Sequence, residues 1–360
     1  MRMPLSSHPI HGGQLEVYAK HYGIAKSDWL DLSTGINPNG YAQPNLPDAV
    51  FRDLPSEDDG LQQVASDYYG SDDVLMVPGS SWAIQCVPAV LHTYVTPIKK
   101  VLLPALGYSE HARAWQALGV DIVFYHNLPT TVQLQDCNVC VLINPNNPSA
   151  HLFSREKVLE IAQQLHKKSA WLIVDEAFID TQPQNSVVKN RCDNVIVFRS
   201  LGKFFGLAGL RVGAIMANNE VLQRCKQRLP PWALNHPARF ITKQALQDTL
   251  WIKQTRSRLI EQSKKLLNMC KQTLLVNVDT TVNINNTNFF VTLMFDTQQE
   301  SLNVHHCLCE QSIYTRLLDN KIGIRIGLPN NTNENWQRLE HAFMQVAQQL
   351  KKETPDVHAL

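Results

Sequence analysis

The chain carries no excess of either charge, 33 basic against 32 acidic residues in 360, so it offers no basic stripe on which a nucleic-acid backbone could lie. Zinc-finger and RNA-binding signatures are missing too, and nucleic acid is not an expected partner. Long apolar runs are absent: Met1 to Ile10 has none, and no later stretch nears the roughly 20 apolar residues that a membrane-spanning helix needs. A soluble, cytoplasmic protein with no membrane partner is expected. Cysteine, at 8 residues, is too sparse for a disulfide framework in a chain this long, so reduced thiols are expected. Cys137 and Cys140 have redox spacing but run into the apolar Val141-Leu-Ile143, where cysteine behaves as a small hydrophobe. His305-His-Cys-Leu-Cys309 is denser in possible ligands, yet it lies in an amphipathic pattern, and no metal is expected. Internal repeats and low-complexity tracts are also lacking.

What is present is a rhythm of short apolar runs. Val74 to Val77, Lys100 to Leu103, Val120 to Phe124, Val139 to Ile143, Ala170 to Val174, Val195 to Phe198 and Val212 to Met216 read as buried strands. Helical patterns alternate with them, at Ser80 to His92, Ser109 to Leu118 and Ser154 to Lys167, the last with Ser154 as N-cap. This predicts an α/β fold whose large domain has a mainly parallel central sheet sandwiched by helices. One long helix is expected from about Ala238 to Gln272. The tail then offers strands at Asn288 to Phe295, Ile313 to Leu317 and Ile322 to Ile326, and a helix from Glu334 to Leu350, which suit a smaller α+β domain. The divisions expected are 1–45 for an N-terminal segment serving the small domain or a lid, 46–272 for the large domain and 273–360 for the small one. An α/β rhythm also suits a dinucleotide-dependent dehydrogenase, but the Gly-x-Gly-x-x-Gly turn after the first strand is missing.

Chemistry-bearing residues fall at the ends of these strands, the edge where α/β sheets bind ligands. Lys203 lies in Arg199-Ser-Leu-Gly-Lys-Phe-Phe-Gly-Leu-Ala-Gly-Leu-Arg211, flanked by Ser200 and Arg211, two groups suited to a phosphate. Pyridoxal phosphate (PLP) needs both an amine to bond its aldehyde and an anchor for its phosphate. Pro78-Gly-Ser-Ser81 opens a helix with free N–H groups, which suits the phosphate as well. Asp175 ends a strand in Val-Asp-Glu-Ala-Phe178, where a carboxylate can hold a protonated ring nitrogen. Asn147, in Asn144-Pro-Asn-Asn-Pro148, is placed to donate to a phenolic oxygen, and Tyr108 to cover a ring face. Arg316 and Arg325 sit among apolar residues on tail strands, where a buried arginine needs an anionic partner.

This ordered set resembles the fold type I PLP-dependent enzymes, the aspartate aminotransferase superfamily, over nearly the whole chain. The resemblance implies that Lys203 bonds the cofactor, Asp175 pairs with its pyridine nitrogen and Asn147 meets its ring oxygen. It likewise assigns the phosphate to Gly79, Ser80, Ser81, Ser200 and Arg211, and the substrate's α-carboxylate to Arg325. Two branches compete, histidinol-phosphate aminotransferases and the threonine-phosphate decarboxylases of cobalamin biosynthesis. His11-Gly-Gly13, Asp31-Leu-Ser-Thr-Gly-Ile-Asn-Pro38, Asp175-Glu-Ala-Phe-Ile-Asp180 and Arg199-Ser-Leu-Gly-Lys-Phe-Phe205 look like the second branch. That likeness implies substrate contacts from His11, Gly12, Gly35, Asn37, Asn147, Arg316 and Arg325, a phosphorylated amino acid as substrate, and a homodimer.

Some positions depart from the pattern. Phe178 stands near the cofactor where many aminotransferases place a tyrosine, Leu54 where they offer one to the neighbouring subunit, and Gly35 where the decarboxylases have an asparagine. Asn147-Pro-Ser-Ala150 also differs from the usual Asn-Pro-Thr-Gly ending. The expected activity is decarboxylation of L-threonine O-3-phosphate. Transamination of a compound such as histidinol phosphate and a non-catalytic PLP-fold protein are the alternatives.

Overall fold

The computed structural model describes residues 13–95, 97–276 and 282–353. His11 and Gly12 lie outside them. The chain divides into two compact units, one of Gly40–Arg256 and one that joins the chain up to Asn39 with Ser257 onward; the divisions expected from sequence stand at 45/46 and 272/273.

In the Gly40–Arg256 unit a seven-stranded sheet runs in the order Val74–Val77, Gly213–Met216, Val195–Ser200, Trp171–Asp175, Val139–Ile143, Lys100–Pro104, Asp121–Tyr125. Its pairings are parallel except those of Gly213–Met216, which is antiparallel to both neighbours. Every residue of the three central strands 139–143, 171–175 and 195–200 is buried, so these runs are apolar without alternation until the polar residues Asp175, Arg199 and Ser200 at their ends. The expected N-cap holds, since Ser154 Oγ accepts from Lys157 N at 3.2 Å ahead of helix Arg155–His166. Cys137 and Cys140 are buried in this core, and burial pushes the Cys137 thiol up to about 11, out of reach of thiolate chemistry near neutrality.

The long helix expected over 238–272 is two helices, His236–Gln247 and Thr249–Met269. Asp248 leaves the helical region at φ −78°, ψ 77°, and its Oδ1 accepts from Trp251 N at 2.9 Å. Its carboxylate thus caps a new helix where the apolar pattern reads straight through.

The other unit holds a four-stranded antiparallel sheet in the order Arg316–Leu317, Gly323–Gly327, Phe290–Met294, Asn283–Asn286. The strand Asn283–Asn286 was not expected, because a mostly exposed Asn-rich edge strand carries no apolar signal. The segment expected as one strand over 313–317 is two. Ile313–Tyr314 pairs in parallel with Leu30–Asp31, and Arg316–Leu317 belongs to the larger sheet. Gly327 lets the amino-terminal segment cross that sheet: a Cβ there would lie 2.3 Å from Thr34 O, and its N–H donates to Leu32 O at 2.7 Å.

Helix Gln298–Glu310 carries His305 and Cys309 inward. His305 Nε2 donates to Thr315 O at 3.2 Å, and Nδ1 faces Cys309 Sγ at 3.9 Å. No metal-binding cluster occurs among the described residues. Burial pulls the His305 imidazole down from 6.5 to about 4. Between those values the unfolded chain binds a proton that the folded chain rejects, so stability is lost as pH falls from 6.5 toward 4, by about 3 kcal/mol in all. Urea midpoints at pH 7 and pH 4.5 check this, and His305→Gln, which keeps a donor for Thr315, is expected to flatten the difference.

Candidate active site

At the ends of strands 171–175 and 195–200, successive residues point to opposite faces of the sheet, because side chains alternate along a strand. Asp175 is paired in register with Phe198, so these two and Ser200 share one face, while Glu176 and Arg199 take the other.

On the first face Asp175 is 4% exposed. Its Oδ1 accepts from Ala177 N at 3.0 Å and its Oδ2 accepts from His111 Nε2 at 3.0 Å. His111 is also buried, stacked on Phe198 with centroids 6.3 Å apart and planes at 4°, and edge-on to Tyr108 at 6.5 Å. Sequence reasoning missed His111. A signal existed, since it follows Tyr108 by three residues at the start of helix Ser109–Gln116, which puts both on one helical face.

Gly79, at φ 78°, turns the chain from strand 74–77 into helix Ser80–Val90, whose first N–H groups have no intrahelical acceptor. The Arg211 guanidinium packs against it: a Cβ on Gly79 would lie 3.0 Å from Arg211 Nη2, which also donates to Ser81 Oγ at 3.4 Å. Gly213, likewise unflagged by sequence, closes the cradle from the next strand. A Cβ there would stand 2.5 Å from Ser80 N and 2.8 Å from Arg199 O, both backbone atoms. Gly213→Ala is therefore expected to push the cradle open at a cost of about 1–3 kcal/mol. Carried wholly by the cradle, that is a rise of about 5- to 150-fold in the Kd for PLP, measurable by fluorescence titration of the apo chain.

Lys203 follows Ser200 in a turn, with Nζ 5.4 Å above the Phe178 ring. Asn147 is buried between its neighbours' contacts: Asn144 exchanges hydrogen bonds with Phe153, and Asn146 Nδ2 donates to Leu106 O at 2.7 Å. The unit thus gathers Ser80, Ser81, Ser200 and Arg211 around the Gly79 turn, whose own N–H donates to Val77 O at 2.7 Å, and the same unit carries a buried carboxylate at Asp175 and an amine at Lys203. This donor set fits PLP.

The opposite face is a buried ionic lock. Arg199 pairs with Glu176 at 3.4 Å and with Asp180, and lies 5.1 Å over the Tyr69 ring. Glu176 also accepts from Ser186 Oγ at 2.6 Å and Val187 N at 2.9 Å, while Tyr68 OH donates to Asp180 at 2.7 Å. Burial outweighs these partners and holds the Glu176 carboxyl above its usual range.

In the other unit Arg316 and Arg325 are cross-strand partners, both buried. Arg325 donates to Ser33 O at 2.6 Å, which brings the Ser33 to Pro38 segment, with buried Gly35 and Asn37, against the arginine strand. Arg316 meets exposed Asp319 at 3.5 Å, and its buried Nε has no hydrogen-bond partner among the described residues. Burial, and then Arg316, pull the Arg325 guanidinium well below its ordinary value. Two adjacent buried cations form a site that an anion would stabilise.

The profile of the family described as aminotransferase class I and II matches residues 50–343. A threonine-phosphate decarboxylase of Pseudomonas aeruginosa is 35% identical over 337 residues, 93% of this chain and 97% of the relative. Another, from Sinorhizobium, is 38% identical over 251 residues, 68% of this chain and 73% of the relative. Histidinol-phosphate aminotransferase of Sinorhizobium meliloti, solved in complex with pyridoxal-5'-phosphate, superposes with a TM-score of 0.78 at 17% identity, covering 96% of each chain.

Proposed function

This chain belongs to the aminotransferase class I and II family, and from that premise we propose that it is a PLP-dependent lyase that decarboxylates L-threonine O-3-phosphate to 1-aminopropan-2-ol O-phosphate and carbon dioxide, for cobalamin biosynthesis. The similarity to threonine-phosphate decarboxylases along 93% of the chain supports the reaction. The observation that carries the substrate class is the buried pair Arg316 and Arg325, two cations suited to a substrate with both a carboxylate and a phosphate.

When bound, the cofactor supplies a sink for the electron pair left at Cα as the carboxylate departs. Asp175, oriented by His111 and Ala177 N–H, carries the charge that holds a ring nitrogen protonated. Ser80, Ser81, Ser200 and Arg211 hold the phosphate, and Asn147 the ring oxygen. Arg325 holds the substrate's carboxylate, with Gly35 and Asn37 beside it and Arg316 sharing the anionic load. His11 and Gly12 are assigned to the substrate by resemblance alone. Lys203 is the amine that would bond the cofactor's aldehyde between turnovers, and its ammonium would deliver the proton that replaces the departed carboxylate at Cα. Phe178 offers a ring face and no hydroxyl, so the phenol contact of many aminotransferases is missing.

We also infer a cytoplasmic homodimer. Eight free cysteines accord with a reducing compartment. Phe51, Leu54 and Trp232 are 67%, 66% and 56% exposed and line one groove, an apolar patch suited to a second copy. The test of function is incubation with carboxyl-labelled L-threonine O-3-phosphate. Labelled carbon dioxide is expected; a keto acid without it would establish the aminotransferase alternative, and neither product a non-catalytic protein.

A further inference from the structure

We propose that Trp251 is a positioning residue for Lys203, acting through the Phe204 and Phe205 rings that follow the lysine. The proposal rests on the functional reading only in taking Lys203 as the residue that bonds the cofactor. Strand Val195–Ser200 ends three residues before the lysine, so Lys203 stands in a turn with no ladder to fix it. The backbone anchors of this turn are Leu201 N to Val212 O at 3.2 Å, Gly206 N to Lys203 O at 3.2 Å and Tyr41 N to Phe205 O at 2.8 Å.

The rings add a second set of contacts. Phe204 and Phe205 are buried, with centroids 5.1 Å apart. Trp251 meets both, stacked on Phe205 at 5.5 Å with planes at 13° and edge-on to Phe204 at 5.5 Å and 73°. Tyr41 packs edge-on against the same indole at 5.2 Å. The far side is closed as well: a Cβ on Gly40 would fall 2.9 Å from Phe205 O and 3.0 Å from the Gly206 Cα. Trp251 is itself held by the Asp248 cap at the helix start. Lys203 precedes the two clamped residues directly, so a shift of the ring stack moves its Cα and redirects Nζ. Trp251 is only half-buried, which makes its substitution tolerable to the fold.

The test follows bond formation between Lys203 and PLP in the full-length apo chain by stopped-flow absorbance, with borohydride fixation and peptide mass spectrometry identifying the lysine. Trp251→Leu is expected to slow this step roughly tenfold or more, the cost of a misplaced reacting group. Affinity for pyridoxine phosphate, which has the phosphate but no aldehyde, is expected to be unchanged. Trp251→Phe, which keeps a stacking ring, is expected to restore most of the rate. Tyr41→Leu is expected to slow the step by a smaller factor. A Trp251→Leu chain that bonds PLP at the wild-type rate, or that loses pyridoxine phosphate affinity in proportion to rate, overturns the proposal. A wild-type chain that fixes no cofactor on Lys203 overturns the functional reading with it.

Discussion

Lys203→Ala is expected to lose both the borohydride-fixable cofactor and the release of carbon dioxide. The lysine is assigned two tasks, bonding the aldehyde while the site awaits substrate and delivering a proton to Cα after the carboxylate leaves. Loss of the second task alone costs about 10²–10⁴-fold in rate. Lys203→Arg separates charge from reactivity, since a guanidinium keeps the cation above the Phe178 ring but does not give up its proton. It is expected to be as inactive as the alanine variant. An alanine variant retaining more than about 1% of the wild-type rate, the mildest loss that removing a proton-transfer group produces, would remove Lys203 from the chemistry.

That prediction was within reach of the sequence because its signal is local. A buried strand, a polar turn and an arginine eight residues beyond the lysine all fall inside one short run, and the Asp175 carboxylate stands at the end of an equally plain apolar run. The missing parts are those that depend on register. His111 reaches Asp175 across 64 residues of sequence, and nothing in Ser109-Glu-His111 says which strand end its helix will face. Gly213 reads as one more residue of an apolar strand until that strand turns antiparallel and lays its backbone against Ser80 N. The helix break at Asp248 was hidden because an aspartate inside a periodic pattern reads equally well as a solvent-facing position. The edge strand Asn283–Asn286 is specified by its neighbour, Phe290–Met294, and not by its own composition.

Arg199 belongs to the same class, and its removal is expected to produce the largest loss of stability. The sequence marks it as the residue before Ser200, but alternation along the strand sends it away from the cofactor face and into contact with Glu176 and Asp180. Arg199→Leu leaves both carboxyl groups buried without their cation, a change that costs about 3–5 kcal/mol. The loss is expected to grow with pH. Burial already raises the folded-state Glu176 carboxyl above its unfolded value, and losing the arginine raises it further. The folded chain then holds a proton that the unfolded chain gives up, so stability falls as pH rises through this window. Urea midpoints at pH 5.5 and pH 8 are expected to diverge more for Arg199→Leu than for the wild type. The triple change Arg199→Met, Glu176→Gln and Asp180→Asn removes every charge together and is expected to recover much of the loss. Recovery of stability with Lys203 still bonding PLP would show that the lock supports the strand ends without entering the chemistry. A single variant as stable at pH 8 as at pH 5.5 would mean that water reaches the two carboxylates once the arginine is gone.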